Sequence, residues 1–106
     1  MIDIVKIGLL YDFYECLLTK RQRTVLDMYL NENLSLAEIS EEINITRQGV
    51  HDIISRTAAK LIEYEEKLML SERMMKNKLL AQSIMDEINN GNDKVAIEYL
   101  RKITEG

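Results

Sequence analysis

The chain has 106 residues, 46% hydrophobic and 30% charged, a balance that excludes a disordered polyelectrolyte and fits one domain, or a small domain with an extension. Its one cysteine, Cys16, excludes an internal disulfide and points to a reducing, cytoplasmic compartment. The formal net charge of -4 runs against the basic footprint expected of a nucleic-acid binder.

Proline is absent and glycines number four, in a chain rich in Leu, Ile, Glu, Lys and Met, so the predicted fold class is all-α. The first predicted helix covers about residues 3–17, with Ile4, Ile7, Tyr11, Tyr14 and Leu18 along one stripe. Cys16 lies in the apolar run LYDFYECLL and is expected in the core. The opening MIDIVKIGLLYDFY carries Asp3, Lys6 and Asp12 and lacks a basic leader, so it does not read as a signal peptide. No stretch reaches the roughly 18 apolar residues that span a bilayer, and no membrane association is expected.

Thr19 is the expected N-cap of a second helix, with Gln22 in the capping-box position. That helix runs to about Leu30 and buries Val25, Leu26 and Tyr29; Asn31, Glu32 and Asn33 form the following loop. Ser35 and Glu38 make a second capping box for a short helix whose Leu36, Ile39 and Ile43 face inward. Asn44-Ile45 is a tight turn, and Thr46 caps the next helix. Beyond Leu61 no residue signals a stop, so this helix is expected to continue to about Ile88, roughly 27 residues and about 40 Å further. Asn89-Asn90-Gly91-Asn92 breaks it, and a last helix, DKVAIEYLRKI, presents Val95, Ala96, Tyr99, Leu100 and Ile103. The expected organisation is a helix-turn-helix domain over 1–70 and a helical C-terminal extension over 71–106.

Residues 35–61 have the layout of a helix-turn-helix, in which the second helix projects its N-terminal residues outward. Helical spacing puts Val50, Ile53, Ile54, Thr57 and Leu61 inside, and Gln48, Asp52, Ser55 and Ala59 outside, flanked by His51 and Arg56. Gln, Ser and His reach base edges, whereas Arg and Lys reach phosphates. The candidate DNA-contact set is Thr46, Arg47, Gln48, His51, Ser55, Arg56 and Lys60, with Lys20, Arg21 and Arg23 on the backbone side. The bland alternative for the cations is a solvated helix face, and Asp52 repels phosphate.

The stretch TKRQRTVLDMYLNENLSLAEISEEINITRQGVHDIISRTAAKL is similar to region four of bacterial sigma-70-type factors, through its TxRQRxVL-like opening, SLAEIS-like first helix and TRxxV start. In those factors arginines and a Glu or Gln read the promoter; here Arg47 matches, while Gln48, Gly49, His51 and Asp52 replace the other readers, so the resemblance implies the fold and not the target. Residues 10–68 resemble the YlxM family throughout, on LTKRQR, TRQGVHD and the RTxxxLxEYEEKL end. That resemblance implies a sigma region four-like helix-turn-helix protein that binds DNA. It also implies a regulatory role in the signal recognition particle pathway, whose GTPase gene tends to neighbour those of the family. The alternative it leaves open is a module binding a protein or RNA of that pathway.

Residues 1–70 hold 8 Lys/Arg against 12 Asp/Glu, and residues 71–106 hold 6 of each. The basic residues of the first part gather at Lys20, Arg21, Arg23, Arg47, Arg56 and Lys60, so a local basic face sits on an acidic body, with modest affinity per copy. No metal cluster, cofactor motif or catalytic constellation stands out, and the chain reads as a non-enzyme. The apolar residues beyond Leu61 exceed what a small core covers, so the C-terminal half is expected to self-associate as a homodimer, which would also present two recognition helices.

Overall fold

The structure, a computed structural model, describes residues 3–105. Among the described residues every regular element is helical. The chain divides into two compact units, Met1–Met69 and Leu70–Gly106.

In the first unit, α1 (Ile4–Tyr14) starts where the Asp3 carboxylate accepts the Lys6 N–H at 3.1 Å. It buries Ile7, Leu10, Tyr11 and Tyr14, a run of the i, i+3, i+4, i+7 kind. Ile4, expected in the same stripe, is 54% exposed, because the buried run begins one turn later and Leu10 completes it. Cys16, expected in the core, is exposed. The α-helix ends at Tyr14, and a 3-10 turn over Glu15–Leu17 rotates Cys16 outward before Leu18 returns to the core.

Thr19 and Gln22 form the reciprocal capping box that opens α2 (Lys20–Leu26). Its last turn widens into a π-type turn over Asp27–Asn31, closed by Glu32 N–H to the Asp27 carbonyl at 3.0 Å. Tyr11 anchors this place: its hydroxyl donates to Asp27 Oδ1 at 2.9 Å and lies 3.3 Å from the Arg23 carbonyl. Burial, then the Asp27 carboxylate that accepts its hydrogen bond, pushes the Tyr11 phenol well above its ordinary range.

Next come α3 (Leu36–Ile43) and α4 (Arg47–Leu68). Ile39 on α3 and Val50, Ile54, Ala58 and Leu61 on α4 close the core against α1 and α2. The buried Thr57 hydroxyl is satisfied by donating to the Ile53 carbonyl at 2.7 Å. Farther along, the fully buried Tyr14 donates from its hydroxyl to Glu65 Oε1 at 2.6 Å, tying α1 to the C-terminal turns of α4.

The helix expected to run unbroken to Ile88 stops at Met69. Met69 adopts φ 54°, in the left-handed region, and its N–H donates to the Glu65 carbonyl at 2.9 Å. A side chain there costs about 1–2 kcal/mol, so glycine is the usual residue at such a stop, and Met69 in its place leaves the break without a glycine or proline signal in the sequence.

The second unit is a helical hairpin, α5 (Leu70–Asn89) and α6 (Asp93–Glu105). Gly91, at φ 79°, makes the turn, and the Asn92 side chain donates to Glu87 Oε2 at 2.9 Å. Ile84 and Ala96 are its buried apolar residues.

Candidate nucleic-acid interface

The geometry of the site begins with its caps. Ser35 Oγ accepts the Glu38 N–H at 3.1 Å, and Glu38 Oε1 accepts the Ser35 N–H at 3.0 Å, which fixes the start of α3. These bonds hold the Glu38 carboxyl below the usual range, so it stays ionised at the helix N-terminus. α3 ends at Asn44, which takes φ 57°, a conformation that asparagine tolerates better than most residues. Ile45 N–H donates back to the Ser40 carbonyl at 3.1 Å. Thr46 Oγ1 then accepts the Gly49 N–H at 3.0 Å and opens α4.

Gly49 belongs to this turn. A Cβ on it would lie 3.2 Å from Thr46 Oγ1 and 3.3 Å from Ile45 Cδ1. Its lack of a side chain therefore lets the cap and the turn close together; it does not leave a gap in a row of base readers.

Past the turn, Arg47, Gln48, His51, Asp52 and Arg56 are exposed, and Ser55 is half-buried. Asp52, the acid on this face, is engaged by its neighbours: Gln48 Nε2 donates to its Oδ1 at 3.0 Å, and His51 Nδ1 lies 3.7 Å from the same oxygen. The i,i+4 spacing of Gln48 and Asp52 was the available sequence signal for this pair. Thr46 spends its hydroxyl on the cap, accepting the Gly49 N–H, so its part is to place the helix.

Lys20 and Arg21 stand beside the same turn. With Thr24, Val25 and Ile43 they line a cleft of about 350 Å³ between the start of α2 and the end of α3. Arg23 is not in that group. It is half-buried and its charge acts on the Tyr11 phenol, on the side of α2 that carries the Tyr11–Asp27 bond. Lys60 also lies apart, 13 residues or about 20 Å along α4 from Arg47. There the 3.0 Å bond from Lys67 and its charge, and after them the charge of Lys60, hold Glu63 below the usual carboxylate range. Of the sequence-predicted residues, Lys20 and Arg21 lie together at the cleft that Ile43 of α3 also lines, while Arg47, Gln48, His51, Ser55 and Arg56 share the outer side of the first turns of α4.

The family described as "Putative helix-turn-helix protein, YlxM / p13 like" matches residues 2–102, nearly the whole chain. The chain belongs to the YlxM / p13-like helix-turn-helix family. Relatives named as UPF0122 proteins include one from Geobacillus sp. (strain WCH70), 37% identical over 103 residues, which cover 95% of this chain and 94% of that protein. Another, from Acetivibrio thermocellus, is 47% identical over 90 residues, covering 85% of this chain and 77% of the relative. A third, from Clostridium novyi (strain NT), is 43% identical over 90 residues, covering 85% and 78%. In this YlxM / p13-like protein the α3–turn–α4 segment has the layout of the helix-turn-helix that the family description names. Among the described residues no helix is long and apolar enough to cross a membrane, and no group of three or more His, Cys, Asp or Glu residues is placed to hold a metal ion.

Proposed function

We propose that this chain is a DNA-binding regulator that works as a cytoplasmic homodimer, each copy laying the first turns of α4 in the major groove. Arg47, Gln48, His51 and Ser55 meet base edges or the nearest phosphates, and Arg56 follows along the groove. Lys20 and Arg21, together with the free N–H groups at the start of α4, hold the DNA backbone. The carrying observation is the capped turn with cations on both sides of it, and an acid, Asp52, occupied by Gln48. The body's net charge of -4 keeps single-copy affinity modest, and two half-sites offset that.

The same acidic balance favours a second reading, in which the chain acts in the signal recognition particle pathway and the same face meets an RNA or protein of that particle. Incubating the full chain with mixed genomic DNA fragments and total RNA, recovering what binds, and sequencing it separates the two. Enrichment of double-stranded sites with a shared half-site supports the first reading; enrichment of RNA, or of nothing, overturns it.

A further inference from the structure

The hairpin of the second unit leaves much of its apolar surface in water. Met74, Met85 and Ile88 on α5 are 50%, 55% and 52% exposed, and Ile97 and Leu100 on α6 are 50% and 46% exposed. On each helix these residues follow the α5–α6 contact stripe by about a quarter turn. In an antiparallel pair that places them on one side of the hairpin. Two helices that bury Ile84 and Ala96 between them hold too little core to stand uncovered.

The charges beside this side say what covers it. Lys78, Gln82 and Asp86 follow one another at i, i+4 and i+8 along the outer edge of α5, next to the apolar stripe. Gln82 Nε2 donates to Asp86 Oδ1 at 3.1 Å, while Lys78 lies a turn away at the other end of the row. Read backwards, the row complements itself: a second α5 laid antiparallel puts Lys78 opposite Asp86, Gln82 opposite Gln82, and Asp86 opposite Lys78. Ala81 then falls at the crossing, where a small side chain lets the two helices approach. The distribution of charge along the hairpin agrees. Residues 70–80 and 98–105 carry 5 Lys/Arg against 3 Asp/Glu, and residues 81–97, around the turn, carry 1 against 3. An antiparallel partner sets the basic end of one copy against the acidic end of the other. A parallel partner would stack like upon like.

We infer that the second unit is a two-fold interface between copies of this chain, with α5 packed antiparallel on the partner's α5 about Ala81 and Gln82, and Lys78 paired with Asp86 of the other copy. This gives the homodimer of the proposed function a defined geometry and rests on that reading for the dimer alone.

Sedimentation equilibrium on the full chain tests it with four proteins: the wild type, Lys78→Glu, Asp86→Lys and the double variant. The wild type is expected to be dimeric at tens of micromolar. Each single reversal weakens the dimer about threefold to thirtyfold, since each breaks two symmetric pairs. The double reversal restores it, because the swapped charges still face each other across the two-fold axis. A dimeric wild type whose double variant stays as weak as the singles, or weaker, overturns the antiparallel arrangement and leaves the homodimer standing. A monomeric wild type overturns both, and assigns the apolar side to another occupant: the chain's own first unit or a different protein.

Discussion

The two units spend similar helical sequence on different ends. In the first, four helices and two irregular turns converge on Tyr14, Leu26, Ile39, Val50 and Leu61, all with essentially no exposure. In the second, two helices form readily from good helix formers yet bury Ile84 and Ala96, while Met75 and Leu79 remain 59% and 63% exposed. Helix propensity and core formation are separate properties. The first unit carries the information for a fixed surface, with caps, a left-handed Asn44 and a tight Gly49. The second carries the information for a rod with a sticky side.

The comparison breaks most sharply in the core. Leu61→Ala should cost about 2–5 kcal/mol of first-unit stability, because it empties a fully buried site where α4 meets α1. Ile84→Ala should cost clearly less in the isolated monomer, its surroundings being half solvent. Urea denaturation followed by helical circular dichroism measures both. Equal losses would mean that the hairpin has a core of the same quality.

A second, smaller effect is confined to the first unit and to alkaline pH. The folded state raises the Tyr11 phenol above its ordinary value of 10.0, so the proton is held more tightly folded than unfolded. The stabilisation is fully present below pH 10.0 and is lost as pH rises beyond it. Tyr11→Phe should therefore be less stable than the wild type at neutral pH, and the gap should narrow only as pH rises past 10.0. A gap that is constant with pH would contradict a phenol raised by its burial and by the Asp27 carboxylate.

The smallest effect lies at the junction. Met69→Gly removes a left-handed side chain and should stabilise the local break by up to about 1 kcal/mol, read as an upward shift in the thermal midpoint. A loss of stability would show that the Met69 side chain contributes more by packing than it costs in strain.

Much of this was legible in the sequence because it is local. Thr19 with Gln22, Ser35 with Glu38, and Thr46 before Gly49 announce their caps within three residues, and the inner row Val50, Ile54, Thr57 and Leu61 follows from period alone. What escaped depends on register or on partners. The 3-10 turn after Tyr14 is one such case: it moves Cys16 outward without any change in hydrophobicity. Met69 takes a conformation that no methionine advertises. In the candidate interface the exposed face of α4 was readable. The separation of Arg23 from Lys20 and Arg21 was not, since it depends on how α2 meets α1 and α3.

Nucleic-acid recognition is proposed to lie on the first turns of α4. Fluorescence anisotropy of a labelled duplex, taken from the fragments the full chain itself selects, tests it with Arg47→Ala measured beside the wild type at one fixed salt concentration. Arg47 lies outside the core, so the fold should survive. The expected loss is about 1–3 kcal/mol in binding, or roughly fivefold to 150-fold in Kd, with helical content unchanged. An unchanged Kd for Arg47→Ala, and for Arg56→Ala as well, would contradict it.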